Sequence, residues 1–184
     1  MPRIFTVLVA LDSVFLIASY VLGCTSRLSD GVNNPETRIY WYHFLCGLTT
    51  NVLTLLVHCL IFTYFLGTGR WVKEVTLAYD LPDEPLHKLT RELKRRVFPP
   101  ALYAMLFAIA SGATGAAAHV RVWPWYIHFS LATCTLLVNF WAFRVEFQCL
   151  RENVGVLGDV LIAVDEVRIA RGLPVNALAL QEDQ

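Results

Sequence analysis

Four long apolar runs divide the chain, at residues 4–22, 41–66, 101–118 and 126–143, and polar stretches separate them. Each run is continuous rather than alternating. A bilayer core of ~30 Å needs ~20 mostly apolar residues of helix. In lipid only helices or closed barrels satisfy the backbone, and unbroken apolar runs are the helical pattern. The pattern predicts an all-α integral membrane protein, a four-transmembrane-helix bundle with helical cytoplasmic extensions. Residues 97–100 extend the third run inward, so the spans are placed at about 4–22, 41–66, 98–119 and 126–147.

Periodicity continues outside the spans. The stretch "RWVKEVTLAYDLPDEP" carries the second helix on to near Pro82. Residues 86–96 read as a short basic helix within the loop 68–97, and Pro99 and Pro100 reset the chain for the third span. Residues 149–172 form an amphipathic helix. Leu150, Leu157 and Val164 are seven apart and Val154 and Leu161 fill the positions between, giving an apolar stripe on a charged helix. That stripe is expected on the extension of the second helix or on a protein partner, including a second copy of the chain. Gly172 and Pro174 end it, and residues 173–184 form a tail. No internal repeat or low-complexity tract is read, and "GTGR" at residues 67–70 lacks the spacing of a phosphate loop.

Charge orients the bundle. The loop between the second and third spans holds Arg70, Lys73, Lys88, Arg91, Lys94, Arg95 and Arg96, whereas the opposite loops hold only Arg27, Arg38 and Arg121. Basic loops stay in the cytoplasm, which predicts an inner (plasma) membrane protein with both termini inside. Tyr40, Trp41 and Tyr42, with Trp123, Trp125 and Tyr126, form aromatic belts at the outer interface. The formal net charge is zero, so no nucleic-acid partner is implied, and membrane lipids are the expected surroundings. The five cysteines make no CxxC pair and suggest neither a disulfide framework nor a zinc site. "VLGC" at residues 21–24, behind Arg3 and an apolar run, resembles a bacterial lipoprotein signal. The length of the run and Asp12 in its middle argue against processing.

Polar residues then draw lines along the spans. His43, Gly47, Thr50/Asn51, Thr54 and His58 step by three or four and share a helix face, with the two histidines roughly 22 Å apart along it. The fourth span repeats the theme with His128, Thr135, Asn139 and Glu146. The first puts Asp12 and Ser19 on one face. The third offers the small residues Ala101, Ala104, Ala108, Ser111/Gly112 and Gly115, ending at His119. Polar groups in lipid turn inward, and Thr50, Thr54 and Thr135 are expected to act as glue between helices.

Depth sorts the candidate chemistry. His43, His119 and His128 lie at the outer end, with His43 and His128 at matching depth. Two imidazoles on facing helices suit the iron of a b-type haem, with Gly112 and Gly115 giving room for the macrocycle, Arg38 or Arg121 near its propionates, and Thr50 or Tyr42 orienting a ligand ring. This arrangement resembles the membrane b-type cytochromes, in which bundle helices carry paired histidines. Those with two haems place two histidines on each of two helices. The fourth span has none near the level of His58, so one haem is the expectation. All three outer histidines could instead hold copper, zinc or iron, or no cofactor at all. Deeper in, Asp12 and His58 are expected to pair as a structural contact, or to form a proton or quinone site with Asn139 as a third member, or never to meet. Arg144 and Glu146 read as boundary charges.

The leading expectation is a small electron-transfer subunit with one b-type haem near the outer face, linked to a quinone. Rivals are a non-catalytic scaffold or assembly protein acting through residues 149–172, a three-histidine metal protein and a small transporter. No nucleophile–base–acid triad is visible, so the residues do not assign an enzymatic reaction.

Overall fold

The computed structural model describes residues 2–28, 38–82 and 85–175. It is all-helical, with no strand among the described residues. The helices are α1 (Pro2–Leu28), α2 (Arg38–Ala78), α3 (Leu86–His119) and α4 (Trp125–Ala170). All four are long and apolar enough to span a membrane.

The helices run longer than the hydropathy boundaries suggest. The expected break at Pro99 and Pro100 is absent, and α3 passes through both. Each proline removes one N–H donor, but the Leu-, Arg- and Lys-rich stretch before them and the alanines after them favour helix strongly enough to continue it. Likewise α4 is one helix of 46 residues, with no break near residue 149. It ends where Gly172 turns left-handed at φ 71° and Leu173 N–H reaches the Arg168 carbonyl at 2.8 Å. At the end of α2, Asp80 takes φ 57° and Leu81 N–H bonds the Thr76 carbonyl at 2.9 Å. The last residues of the tail, 176–184, lie outside the described residues.

The chain divides into two compact units. The first comprises Met1–Ile61 and Pro99–Phe147. Its helices close a ring in chain order. Thr50 on α2 bonds the Phe15 carbonyl on α1, and Cys59 on α2 meets Met105 on α3. Thr135 on α4 bonds the Phe107 carbonyl on α3, and Tyr20 on α1 meets Thr133 on α4. Apolar side chains such as Ile4, Val14, Val52, Ile109 and Leu137 face outward and are more than half exposed. The interior holds Asp12, Thr54, His58, Asn139 and Glu146, all fully buried, among Val57, Ala101, Ala104 and Phe143. Apolar outside and polar inside suits a lipid surround.

The second unit comprises Phe62–Phe98 and Gln148–Gln184. Val72, Leu86, Val160 and Val164 form its core, with Val75, Tyr79, Leu81 and Leu157 packed against it. The apolar stripe of residues 149–172 therefore packs on the continuation of α2. Its register differs from the seven-residue reading, because Val154 is 45% exposed while Asn153 and Val156 turn inward. Asn153 makes the difference: its amide donates to Tyr64 Oη at 3.0 Å and reaches Thr68 Oγ1 at 3.3 Å, which draws that face of α4 against α2. An open apolar groove of about 310 Å³, lined by Gly67, Thr68, Trp71, Leu157 and Leu161, lies in the same unit.

Candidate functional site

His43 on α2 and His128 on α4 face each other in the first unit, with ring centroids 6.1 Å apart and planes at 60°. Each ring is pinned in the same way. His43 Nδ1 lies 3.1 Å from the Ser19 carbonyl oxygen, and His128 Nδ1 lies 3.1 Å from the Ser111 carbonyl oxygen. A carbonyl only accepts, so both Nδ1 atoms carry the proton, and in the neutral rings both Nε2 atoms keep a free lone pair. The partners expected from sequence, Thr50 and Tyr42, are not the ones used.

Glycine lets each ring reach its carbonyl. A Cβ on Gly23 would come within 2.9 Å of His43 Cε1, and one on Gly115 within 3.0 Å of His128 Cε1. Gly115 therefore seats a histidine instead of opening space for a macrocycle. Gly112 takes the side chain of Asn51 in the same manner. The small-residue stripe of α3 is filled by its neighbours.

These matched contacts expose an internal repeat that is not evident from composition or period. Residues 15–23 of α1 read FLIASYVLG and residues 107–115 of α3 read FAIASGATG, identical at Phe, Ile, Ala, Ser and Gly. On their partner helices His43 and Thr50 correspond to His128 and Thr135, with the same spacing of seven. The contacts correspond as well. Thr50 Oγ1 donates to the Phe15 carbonyl at 3.1 Å, and Thr135 Oγ1 to the Phe107 carbonyl at 2.9 Å. Each hydroxyl also reaches back within its own helix, to Cys46 or Leu131, at 2.7 Å. The hairpin α1–α2 and the hairpin α3–α4 thus repeat one set of contacts. Since α3 runs in the direction of α1, the repeat is parallel.

The repeat fails at the other end of the bundle, where His58 lies. Its counterpart in α4 is Phe143, whose ring stacks on it at 5.4 Å. Asn139 Nδ2 donates to the Thr135 carbonyl at 2.8 Å, which turns its Oδ1 toward His58 Nε2 at 2.9 Å. Nε2 must therefore be protonated. His58 Nδ1 meets Glu146 Oε1 at 2.6 Å, with both side chains fully buried. Asp12 does not pair with His58 as expected. Its Oδ1 accepts from Thr54 Oγ1 at 3.0 Å. Glu146, read from sequence as a boundary charge, is instead the main partner of His58. The signal was present, since Glu146 falls seven residues after Asn139 on the same helix face.

The third outer histidine stands apart. His119 is exposed and meets Tyr40 Oη through its ring nitrogens at 3.1 and 3.2 Å. Among the described residues no group of three or more His, Cys, Asp or Glu side chains is arranged to hold a metal ion. The expected three-histidine metal set of His43, His119 and His128 is therefore not assembled. Arg121 lies in the α3–α4 turn at φ 59°, and Arg27 covers Trp125 at 4.7 Å.

Comparison with protein-family models, curated proteins and solved structures finds no match for the chain.

Proposed function

We propose that this chain is a multi-pass inner-membrane electron-transfer subunit in which His43 and His128 hold one b-type haem. One observation carries the reading: two histidines face each other across the bundle with matched Nδ1–carbonyl anchors and free Nε2 atoms. The two rings lie 6.1 Å apart, centroid to centroid. Two histidines without a third suit an ion whose remaining positions a macrocycle would fill, although Gly112 and Gly115, expected to leave it room, are covered by Asn51 and His128. The Ser19 and Ser111 carbonyls would fix ring orientation and raise ligand basicity. The haem, when bound, supplies one-electron chemistry. His43 and His128 would hold it, and a quinone or a docked redox protein is the partner it would serve. The basic residues of the loop 68–97 support a cytoplasmic location for that loop and both termini.

The test is an absorption spectrum of detergent-purified protein, oxidised and dithionite-reduced, with iron analysis on the same sample. A reduced α-band of the b type with one iron per chain, lost in both His43→Ala and His128→Ala, is the expected result. Protein without chromophore or metal, expressed with haem supplied and purified without chelator, overturns the reading.

A scaffold role is the second reading. The stripe of residues 149–172 is used inside the chain, which leaves the groove lined by Trp71, Leu157 and Leu161 as the surface for a partner or second copy. The transporter reading is weaker, because none of the four described helices is broken.

A further inference from the structure

The buried cluster of Asp12, Thr54, His58, Asn139 and Glu146 shares no residue with the outer histidine pair. Its hydrogen bonds fix most of its protons. Asn139 is oriented by the Thr135 carbonyl, so His58 Nε2 donates to Asn139 Oδ1. The 2.6 Å contact between His58 Nδ1 and Glu146 Oε1 then holds a single proton, on whichever atom it resides. Imidazolium with carboxylate, or imidazole with carboxylic acid, the pair is neutral in sum. With that pair neutral, Asp12 is the remaining ionisable side chain of the cluster.

Asp12 is fully buried, and its one hydrogen bond comes from Thr54. Its second oxygen, Oδ2, has no partner, nor has Glu146 Oε2. No lysine or arginine is buried in this unit among the described residues. α2 contributes Thr54 and His58, and α4 contributes Asn139, Phe143 and Glu146. From α3, the buried residues of the unit are Pro100, Ala101, Ala104, Ala108 and Thr114, none of which titrates. Ionised, Asp12 would leave one net negative charge in a dry interior with a single donor, a costly state that one added cation removes.

We propose that this cluster is a one-proton binding site: Asp12 takes up and releases a single proton beside the constant, neutral His58–Glu146 pair. The balance is simple. One O–H bond forms on Asp12 when a proton enters and breaks when it leaves, and no electron moves. Thr54 is a positioning residue, holding Oδ1 by its hydroxyl and leaving Oδ2 for the proton. The repeat supports this assignment. Where α1 has Asp12, α3 has Ala104, so the acid was placed on one side only and is not demanded by hairpin packing.

The experiment is an infrared pH titration of the full chain in lipid nanodiscs, with and without ¹³C at the aspartate side-chain carboxyl. The expected result is one protonated-carboxyl C=O band that titrates with a single proton, moves with the ¹³C label and is absent in Asp12→Asn. It persists in Glu146→Gln. The label works on the unaltered protein, so the outcome stands even if Asp12→Asn fails to fold. A band that ignores the aspartate label, or that vanishes in Glu146→Gln and survives in Asp12→Asn, overturns the assignment. Replacing K⁺ by Na⁺ must leave the titration unchanged, and a band displaced by Na⁺ would make the site a sodium site. Haem content does not enter the measurement, so this inference and the haem reading fail separately.

Discussion

Replacing His58 and Glu146 together should cost far less than replacing them one at a time. The repeat supplies the substitutions: α4 carries Phe143 where α2 has His58, and α2 carries Ile61 where α4 has Glu146. Glu146→Ile alone removes a 2.6 Å bond and strands His58 Nδ1 in a site with no exposure. Removing one member of a buried pair costs ~3–5 kcal/mol, so ~3 kcal/mol is expected once the imidazole is free to stay neutral. His58→Phe alone strands both Glu146 and Asn139 Oδ1, and should cost ~3–4 kcal/mol. Independent effects would sum to ~6–7 kcal/mol. In the double variant only Asn139 Oδ1 is left without its partner, a loss of ~1–2 kcal/mol. Single neutral hydrogen bonds between membrane helices reach at most ~1.7 kcal/mol in coupling, so a coupling of ~2 kcal/mol or more marks a charge-capable pair. The assay is reversible unfolding of the four proteins in mixed micelles of rising SDS content, followed by circular dichroism. Additivity within ~0.5 kcal/mol would refute the reasoning, since it would mean that the two side chains stabilise the bundle separately.

Other substitutions test the repeat and its surroundings. Gly23→Ala and Gly115→Ala each push a methyl into a histidine ring and should destabilise by similar amounts, ~1–3 kcal/mol, in the same unfolding assay. Gly155→Ala, on an open helix surface with nothing within 4 Å of the new methyl, should stabilise by ~0.5–1 kcal/mol. Thr50→Val and Thr135→Val should each cost ~0.5–1 kcal/mol and match one another, because each removes one hydroxyl bond to a neighbouring helix. The bidentate Arg96–Glu152 pair, with N···O distances of 2.6 and 3.1 Å, is about half exposed. Glu152→Ala should cost less than ~1 kcal/mol and less again at high salt.

Hydropathy made four spanning helices legible, because an apolar run of span length has few other uses. The polar lines on α2 and α4 were legible too, since a 3.6-residue period places His43, Thr50 and Thr54, or His128, Thr135 and Asn139, on one face. Partner choice was not. Asp12 sits at a depth near both Thr54 and His58, and only side-chain geometry decides that the hydroxyl takes it. Glu146 lies close to a hydropathy boundary, where an acid is ordinarily read as solvated. Its burial depends on the continuation of α4 without a break, which apolar counting does not reveal. The carbonyl anchors of the histidines were invisible for a simpler reason: every residue has a carbonyl. The repeat was hidden by the length of its motif, five identities in nine positions, within helices drawn from a narrow apolar alphabet.

A parallel pair of hairpins has a consequence for ancestry. Two separate copies of one hairpin, related by a two-fold axis, would by themselves bring two histidines face to face with both rings anchored. A symmetric dimer of that kind must enter every residue twice. Two aspartates, two His58 imidazoles and two Glu146 carboxylates would then crowd one dry interior, doubling its charge. Joining the hairpins in a single gene lifts that constraint, since each copy can then diverge alone. The chain bears this pattern. The half that gains from symmetry, around His43 and His128, is symmetric. The half that requires asymmetry is not: Asp12 stands opposite Ala104, His58 opposite Phe143, Glu146 opposite Ile61.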